Sequence, residues 1–437
     1  MGDERRGRRA AALCLLASIT TTSAQVNRAI ARIRSATEPK SAVSGSVTFE
    51  QSADDARGDV TVTVSITGLR AGIHGFHVHQ FGDVRVTASP SGGLDTMGAH
   101  FVPFCVPPDI GDAQAGTEAE NECLNMAKHG LPPSLERQPG DMGNINVLSP
   151  SGTFSTVLTI GQRKMSLSDG LRSIVGRTVV VHALEDDGGQ PYGNAGPPEA
   201  YGVIGLAATP STASNAAAAP QVPHIDKIIC TFEADVSSPI SGTALISLLE
   251  PQRPGTVRLQ ARLVGMAKGS SHSFHFHEWG DMTVDPAQLG QIYYNNAINI
   301  DSLRVNQDNT ALLDVEFASE TLQEHVGRSL TIHDGPSSST PTIAAATCGI
   351  AHPHASVDTS SLHLGSSSSL SPATQAFATL TGLVCASMAV LVLLVYFKKP
   401  VPFCGKYINA NQGYRPSSHQ PPPPPKHPQV ELRVEGV

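Results

Sequence analysis

The chain has 437 residues, a formal net charge of −8, 16% charged and 5% aromatic residues, 40 Gly and 32 Pro. An acidic balance without a large basic cluster beyond the first residues excludes a nucleic-acid partner. The length exceeds one ordinary domain, and the Gly and Pro content predicts short strands and many turns rather than long helices.

Residues 1–24 read as a cleaved secretory signal: a basic start, an apolar stretch from Ala10 to Ile19 too short to span a bilayer, and small residues at Ser23 and Ala24. Residues 25–208 form a first domain of β-branched runs, "SGSVTFE", "DVTVTVSITGL", "FSTVLTI" and "RTVVVHAL", punctuated by Gly, Asp and Ser, which predicts antiparallel all-β structure. A small-residue linker at 209–223 leads to a second set of strands at 224–352, including "KIICTFEADV" and "GTVRLQARLVGM".

The second block repeats the first. "HGFHVHQFGD" at 74–83 matches "HSFHFHEWGD" at 272–281, "VGRTVVVH" at 175–182 matches "VGRSLTIH" at 326–333, and "SGSVTFE" matches "SGTALIS". Such matches in one order indicate a duplicated domain.

A Ser-rich stalk follows at 353–373, then an uncharged apolar run at 374–397 closed by Lys398 and Lys399. That run is long enough for one transmembrane helix, and the lysines are the expected cytoplasmic flank. The expectation is a single-pass type I protein of the cell membrane with its domains extracellular and a cytoplasmic tail at 398–437. In the tail, Pro421–Pro425 pre-forms a polyproline II segment of the kind SH3, WW or EVH1 partners read. Of seven cysteines, Cys14 leaves with the signal, and Cys385 and Cys404 lie in or just past the apolar run. Cys105, Cys123, Cys230 and Cys348 remain, an even set with three pairings in an oxidising compartment.

His77 and His79 lie two apart in a strand-like run, so their side chains share one face. His100 in "GAHFVP", His129 in "KHGLP", Asp141 in "PGDMGN" and His182 at the end of "TVVVH" add further donors. Four or five histidines with a carboxylate in a secreted β domain are what copper or zinc uses.

The segments "GIHGFHVHQFGD", "GAHFVP", "HGLP", "GDMGNI", "IVGRTVVVHALEDD" and "GNAGPPEAYGVIGLA", in this order over about residues 29–207, resemble the copper/zinc superoxide dismutases. The resemblance implies two tandem eight-stranded Greek-key β-barrels, immunoglobulin-like in topology, the second degenerate. It implies copper held by His77, His79, His100 and His182, and zinc by His100, His129 and Asp141. Asp186 would tie the two sites together from behind the ligands. His100, shared between the metals, would be the catalytic residue that delivers a proton. Superoxide would be the substrate, and pairing of two chains is open.

Three departures from the family pattern stand out. Gln138 occupies the place of a third zinc histidine, which predicts weak or absent zinc. Pro198 stands where the family has an arginine that draws the anion in, with a shortened loop beside it; losing that guide slows encounter by roughly tenfold or more. Leu94 and Tyr201 stand at the family's disulfide positions, and a bridge from Cys105 to Cys123 closes an insertion instead.

In the second repeat His275, His277 and His333 match three copper ligands and could hold a residual copper site, but Ile292 or Tyr293 stands in place of the shared histidine. Cys230 and Cys348 fall on its first and last strands, neighbours in such a barrel, which predicts a disulfide. The leading expectation is a cell-surface, copper-dependent superoxide dismutase; the alternative is a non-catalytic copper-binding or adhesion ectodomain on the same barrels.

Overall fold

A computed structural model describes residues 27–37, 43–85, 95–103, 128–148, 152–190, 193–209, 225–249, 251–293, 300–318 and 322–359, apart from 53, 162–163 and 236. The signal at 1–24, the apolar run at 374–397, the tail with Pro421–Pro425, and Cys105 and Cys123 lie outside the described residues. Among the described residues no helix is long and apolar enough to cross a membrane.

Sixteen antiparallel strands account for the described fold, joined by turns and single 3-10 turns. The first eight are β1 (Arg28–Ser35), β2 (Ser44–Gln51), β3 (Val60–Thr67), β4 (Gly72–His79), β5 (Asp141–Val147), β6 (Phe154–Ile160), β7 (Thr178–His182) and β8 (Pro198–Leu206). The second eight are β9 (Lys227–Phe232), β10 (Ser241–Leu248), β11 (Thr256–Val264), β12 (Ser271–His277), β13 (Ile300–Arg304), β14 (Thr310–Ala318), β15 (Ser329–His333) and β16 (Thr342–Ile350).

The first sheet runs β5-β4-β7-β8-β1-β2-β3-β6, and the second runs β13-β12-β15-β16-β9-β10-β11-β14. Adding eight to each strand of the first order gives the second, so the duplication read from the sequence is a duplication of topology. The outer strands of each sheet touch, β5 with β6 and β13 with β14, which leaves two nearly closed eight-stranded barrels.

Alternation decides which way the strands face. In β3, Val60, Val62, Val64 and Ile66 are fully buried while the residues between them, mostly threonines, turn outward; in β11, Val257, Leu259, Ala261 and Leu263 do the same. β4 departs from this rule, because every residue from His74 to His79 is buried. Its inner face supplies Phe76 and Val78 to the core, and its outer face supplies His77 and His79 to a space roofed by loops.

In the second barrel Cys230 on β9 and Cys348 on β16 form a disulfide between directly paired residues. It spans a sequence separation of 118 residues. On the chain-entropy account, closing a loop of that size contributes about 4 to 5 kcal/mol.

Candidate metal centre

Two ligand clusters form on the loop-covered face of β4. Ligand atoms of His77, His79, His100 and His182 lie within 4.8 Å of one another, as do those of His100, His129 and Asp141. All six residues are buried, and His100 belongs to both sets. β4 brings His77 and His79, β7 ends on His182, and an isolated bridge between His79 and His100 pins the loop carrying the shared ring.

Each of the four rings of the first cluster has one nitrogen committed to an acceptor. His79 Nδ1 donates to Gly98 O at 2.8 Å, and His182 Nδ1 donates to Gly196 O at 2.8 Å. His77 Nε2 donates to Asp186 Oδ2 at 2.9 Å, and His100 Nδ1 donates to Gln138 Oε1 at 3.0 Å. These partners fix the tautomers, since carbonyl, carboxylate and amide oxygens can only accept.

The other nitrogens are therefore lone-pair donors. His77 Nδ1 is buried with no hydrogen-bond partner, and the Nε2 atoms of His79 and His182 face each other at 3.2 Å. Two acceptors at that distance repel unless a cation lies between them. Burial first, then the neighbouring rings, holds His77 and His79 well below their ordinary pKa of 6.5, and burial takes His182 down to about 4. His77, His79 and His182 are thereby favoured as neutral imidazole, the form that ligates metal. The donor set fits copper.

The second cluster is more acidic. His129 Nε2 donates to Asp186 Oδ1 at 2.8 Å, so the two carboxylate oxygens of Asp186 link His77 and His129. His129 Nδ1 then lies 2.9 Å from Asp141 Oδ2, and His100 Nδ1 lies 2.7 Å from Asp141 Oδ1. Neither His129 Nδ1 nor Asp141 Oδ1 has a partner aligned as a hydrogen bond needs, the geometry of donors aimed at a shared point.

Burial opposes the charge on His129, yet the carboxylates of Asp141 and Asp186 outweigh it and raise the ring to about 9. Burial likewise opposes ionisation of Asp141, and the facing His100 and His129 rings outweigh it, bringing the acid down to about 2. Gln138, 1% exposed, sits inside this pocket and already accepts from the side of His100 that faces it. The residues fit zinc incompletely: two rings, one carboxylate and an amide oxygen.

Several supports of the site were not among the residues expected from the sequence. The carbonyls of Gly98 and Gly196 set two tautomers, and backbone acceptors are invisible in composition. Asn144 holds the Asp186 backbone reciprocally, donating from Nδ2 to Asp186 O at 2.8 Å and accepting at Oδ1 from Asp186 N at 2.9 Å. Asn144 follows Asp141 by three residues in "GDMGN", a spacing that could have flagged it. Gly193, at φ +69°, is required by close approach: a Cβ there would stand 2.3 Å from Asp186 Oδ1.

The second barrel keeps the scaffold and loses the cluster. His272 Nδ1 donates to His333 O at 2.9 Å as His74 Nδ1 donates to His182 O at 2.8 Å, and His277 Nδ1 donates to Gly290 O at 3.0 Å. The bridge from His277 lands on Ile292, so Ile292 rather than Tyr293 replaces the shared histidine. His333 Nδ1 donates to Thr340 O at 2.8 Å, and its Nε2 lies 3.1 Å from Thr331 Oγ1. Thr331 corresponds to Val180 of the first barrel, which has no hydroxyl to offer. Among the described residues His275, His277 and His333 do not form a ligand set as tight as those of the first barrel.

Fold and site together define a β-barrel protein with two buried donor sets that could hold metal ions, one of four histidines and one of His100, His129 and Asp141, tied together through Asp186. A family profile described as copper/zinc superoxide dismutase (SODC) matches residues 43–204. The curated protein "Superoxide dismutase [Cu-Zn]" from Yarrowia lipolytica (strain CLIB 122 / E 150) is 40% identical over 176 residues, covering 38% of this chain and 93% of that protein. A solved structure titled "Crystal Structure Analysis of the clock protein EA4" shares 33% identity, covering 42% of this chain and 96% of that chain with a TM-score of 0.30. The chain belongs to the copper/zinc superoxide dismutase family, a family whose cofactors are copper and zinc, through its first barrel.

Proposed function

We propose that the first barrel is a copper-dependent superoxide dismutase held at the cell surface, converting two superoxide ions and two protons to oxygen and hydrogen peroxide. The observation that carries this reading is the tautomer pattern: the four rings each commit one nitrogen outward while their ligand atoms converge in one buried space. Copper, when bound, would supply the one-electron redox chemistry that this conversion requires. His77, His79, His100 and His182 would hold it, and His129, Asp141 and His100 would hold zinc more weakly.

The protein's own groups do the remaining work. Gly98, Gly196 and Asp186 hold three rings in register, so little reorganisation is needed when the site changes charge. His100 is the proton carrier at Nε2, and Gln138 and Asp141 retain its Nδ1 side. Placement outside the cell is supported by the signal-like start, the apolar run at 374–397 with its two lysines, and the disulfide in the second barrel. The proline run at Pro421–Pro425 would then face cytoplasmic SH3, WW or EVH1 partners.

A second reading, a copper-binding or adhesion ectodomain with little turnover, is favoured by one observation. Pro198 lies in register opposite His182, where a cation would draw in an anionic substrate. Superoxide decay at equal bound copper separates the two. The dismutase reading expects decay well above free buffer that collapses in His100→Ala; decay at the buffer rate with copper bound, or unchanged by His100→Ala, leaves the binding module.

A further inference from the structure

The two barrels meet through hydrogen bonds that come in exchanged pairs. Gly82 N donates to Ile350 O at 2.8 Å and Ile350 N donates to Gly176 O at 2.7 Å; Gly280 N donates to Leu206 O at 2.8 Å and Leu206 N donates to Gly327 O at 2.7 Å. In the repeat alignment Gly82 corresponds to Gly280, Gly176 to Gly327, and Leu206 to Ile350. Each bond is thus made twice with the barrels interchanged, which is how a two-fold, isologous interface is built.

Side-chain packing obeys the same exchange. A Cβ on Gly176 would stand 2.3 Å from Val326 Cγ1, and one on Gly327 would stand 2.3 Å from Val175 Cγ1. A Cβ on Gly205 would meet Gly280 O at 2.2 Å, and one on its counterpart Gly349 would meet Gly82 Cα at 2.7 Å. Val175, Leu206, Val326 and Ile350 belong to a single buried apolar cluster that runs through both barrels.

A cluster of polar contacts breaks the symmetry: Arg32 Nη2 donates to Asp235 Oδ2 at 3.3 Å, Tyr201 donates to Glu233, and one pair of equivalent positions carries opposite charges. Ala31 on β1 pairs with Val47, and Cys230 on β9 pairs with Ala244, the counterpart of Val47. Arg34, three residues after Ala31, therefore corresponds to Glu233, three after Cys230. These two equivalent positions face each other across the pseudo-axis, with Arg34 Nη1 3.4 Å from Glu233 Oε2. Two copies of the first barrel meeting by this face would oppose Arg34 to Arg34. The pairing of first with second barrel opposes unlike charges, and like charges set against each other suppress the wrong partner.

We propose that the second barrel is a resident partner subunit: within one chain it occupies the isologous face by which the first barrel would otherwise pair with a copy of itself, and the Arg34 and Glu233 pair makes that choice specific. The positions it retains are those of the interface, Gly280, Gly327, Gly349 and Ile350. At the metal centre it keeps His275, His277 and His333 but has Ile292 in place of His100 and Ser337 where Asp186 would stand. Gly82 lies three residues beyond His79, so this face anchors the strand end that carries two copper ligands. The inference stands independently of whether the centre turns over superoxide.

The test uses the full chain in detergent with a protease site inserted in the linker at 209–223. Light scattering should give a one-chain protein mass, and after cleavage the two halves should elute together. Glu233→Arg should weaken the cut halves' association at least about tenfold, and the exchange Arg34→Glu with Glu233→Arg should restore it. Gly349→Arg, which drives a side chain into the Gly82 backbone, should separate the halves outright. Halves that part as soon as the wild-type linker is cut would overturn the proposal. So would a two-chain mass for the uncut protein that Glu233→Arg returns to one chain, or an association that the charge exchange does not restore.

Discussion

The first barrel sets His77, His79, His100 and His182 around one point; the second sets His275, His277, Ile292 and His333 on strands of the same order. The two share the core alternation, the strand pairing and even the hydrogen bonds that orient His79 and His277. What separates them is small: one imidazole exchanged for an isoleucine, one valine exchanged for Thr331 whose hydroxyl engages His333, and an exposed Ser337 four residues past His333 where the first barrel has Asp186 four residues past His182. The barrel tolerates loss of the site because its stability comes from inward-facing apolar residues, whereas the site depends on a few polar atoms each with one prescribed partner.

The largest expected effect comes from breaking the first barrel. His100→Ala removes the ring common to both clusters, and turnover should fall by more than about a hundredfold, beyond the tenfold to hundredfold range seen when only a ligand's hydrogen-bond partner is lost. Superoxide decay at matched copper measures it. Next is the converse, building the site into the second barrel. Ile292→His with Thr331→Val supplies the missing ring and releases His333 Nε2, so the copper bound per chain should rise by one equivalent; an unchanged copper count would show that backbone placement, not these two side chains, disables the second site.

A smaller effect is expected from Gln138→His, which completes the zinc ligand set. Zinc affinity, read by competition with a chelator, should rise about tenfold to a hundredfold, with copper affinity little changed.

The smallest effect is the pH dependence of the metal-free protein. His182 is held down to about 4 against an ordinary 6.5, so the unfolded chain binds a proton that the folded chain refuses, and stability is lost as pH falls from about 6.5 toward 4. His129 is held up to about 9, so the folded chain keeps a proton that the unfolded chain sheds; that contribution is complete below 6.5 and lost as pH rises through 9. The urea midpoint of metal-free protein should peak near pH 6.5 and decline on both sides. A flat profile from 6.5 to 9 would show that His129 is not held by Asp141 and Asp186.

Much of the fold was readable in the residues because strand alternation and the internal repeat are local patterns: "DVTVTVSITGL" and "GTVRLQARLVGM" declare one buried face each. The donor set was readable because His, Asp and their spacings are chemically distinctive, and the resemblance ordered them. Two features were not. The choice between Ile292 and Tyr293 hung on a one-residue register that only the His277 bridge fixes. The paired faces of the barrels are made of glycines, valines and backbone amides, which look the same in sequence whether they meet another barrel or water.

The division of labour between the barrels is tested most directly by loading the full chain with copper and counting the metal bound per chain, with electron paramagnetic resonance of the loaded protein reporting its nitrogen ligands. One copper per chain with a four-nitrogen signature, lost in His77→Ala and retained in His275→Ala, is the predicted result. Two coppers per chain, or one copper lost in His275→Ala and retained in His77→Ala, would contradict it.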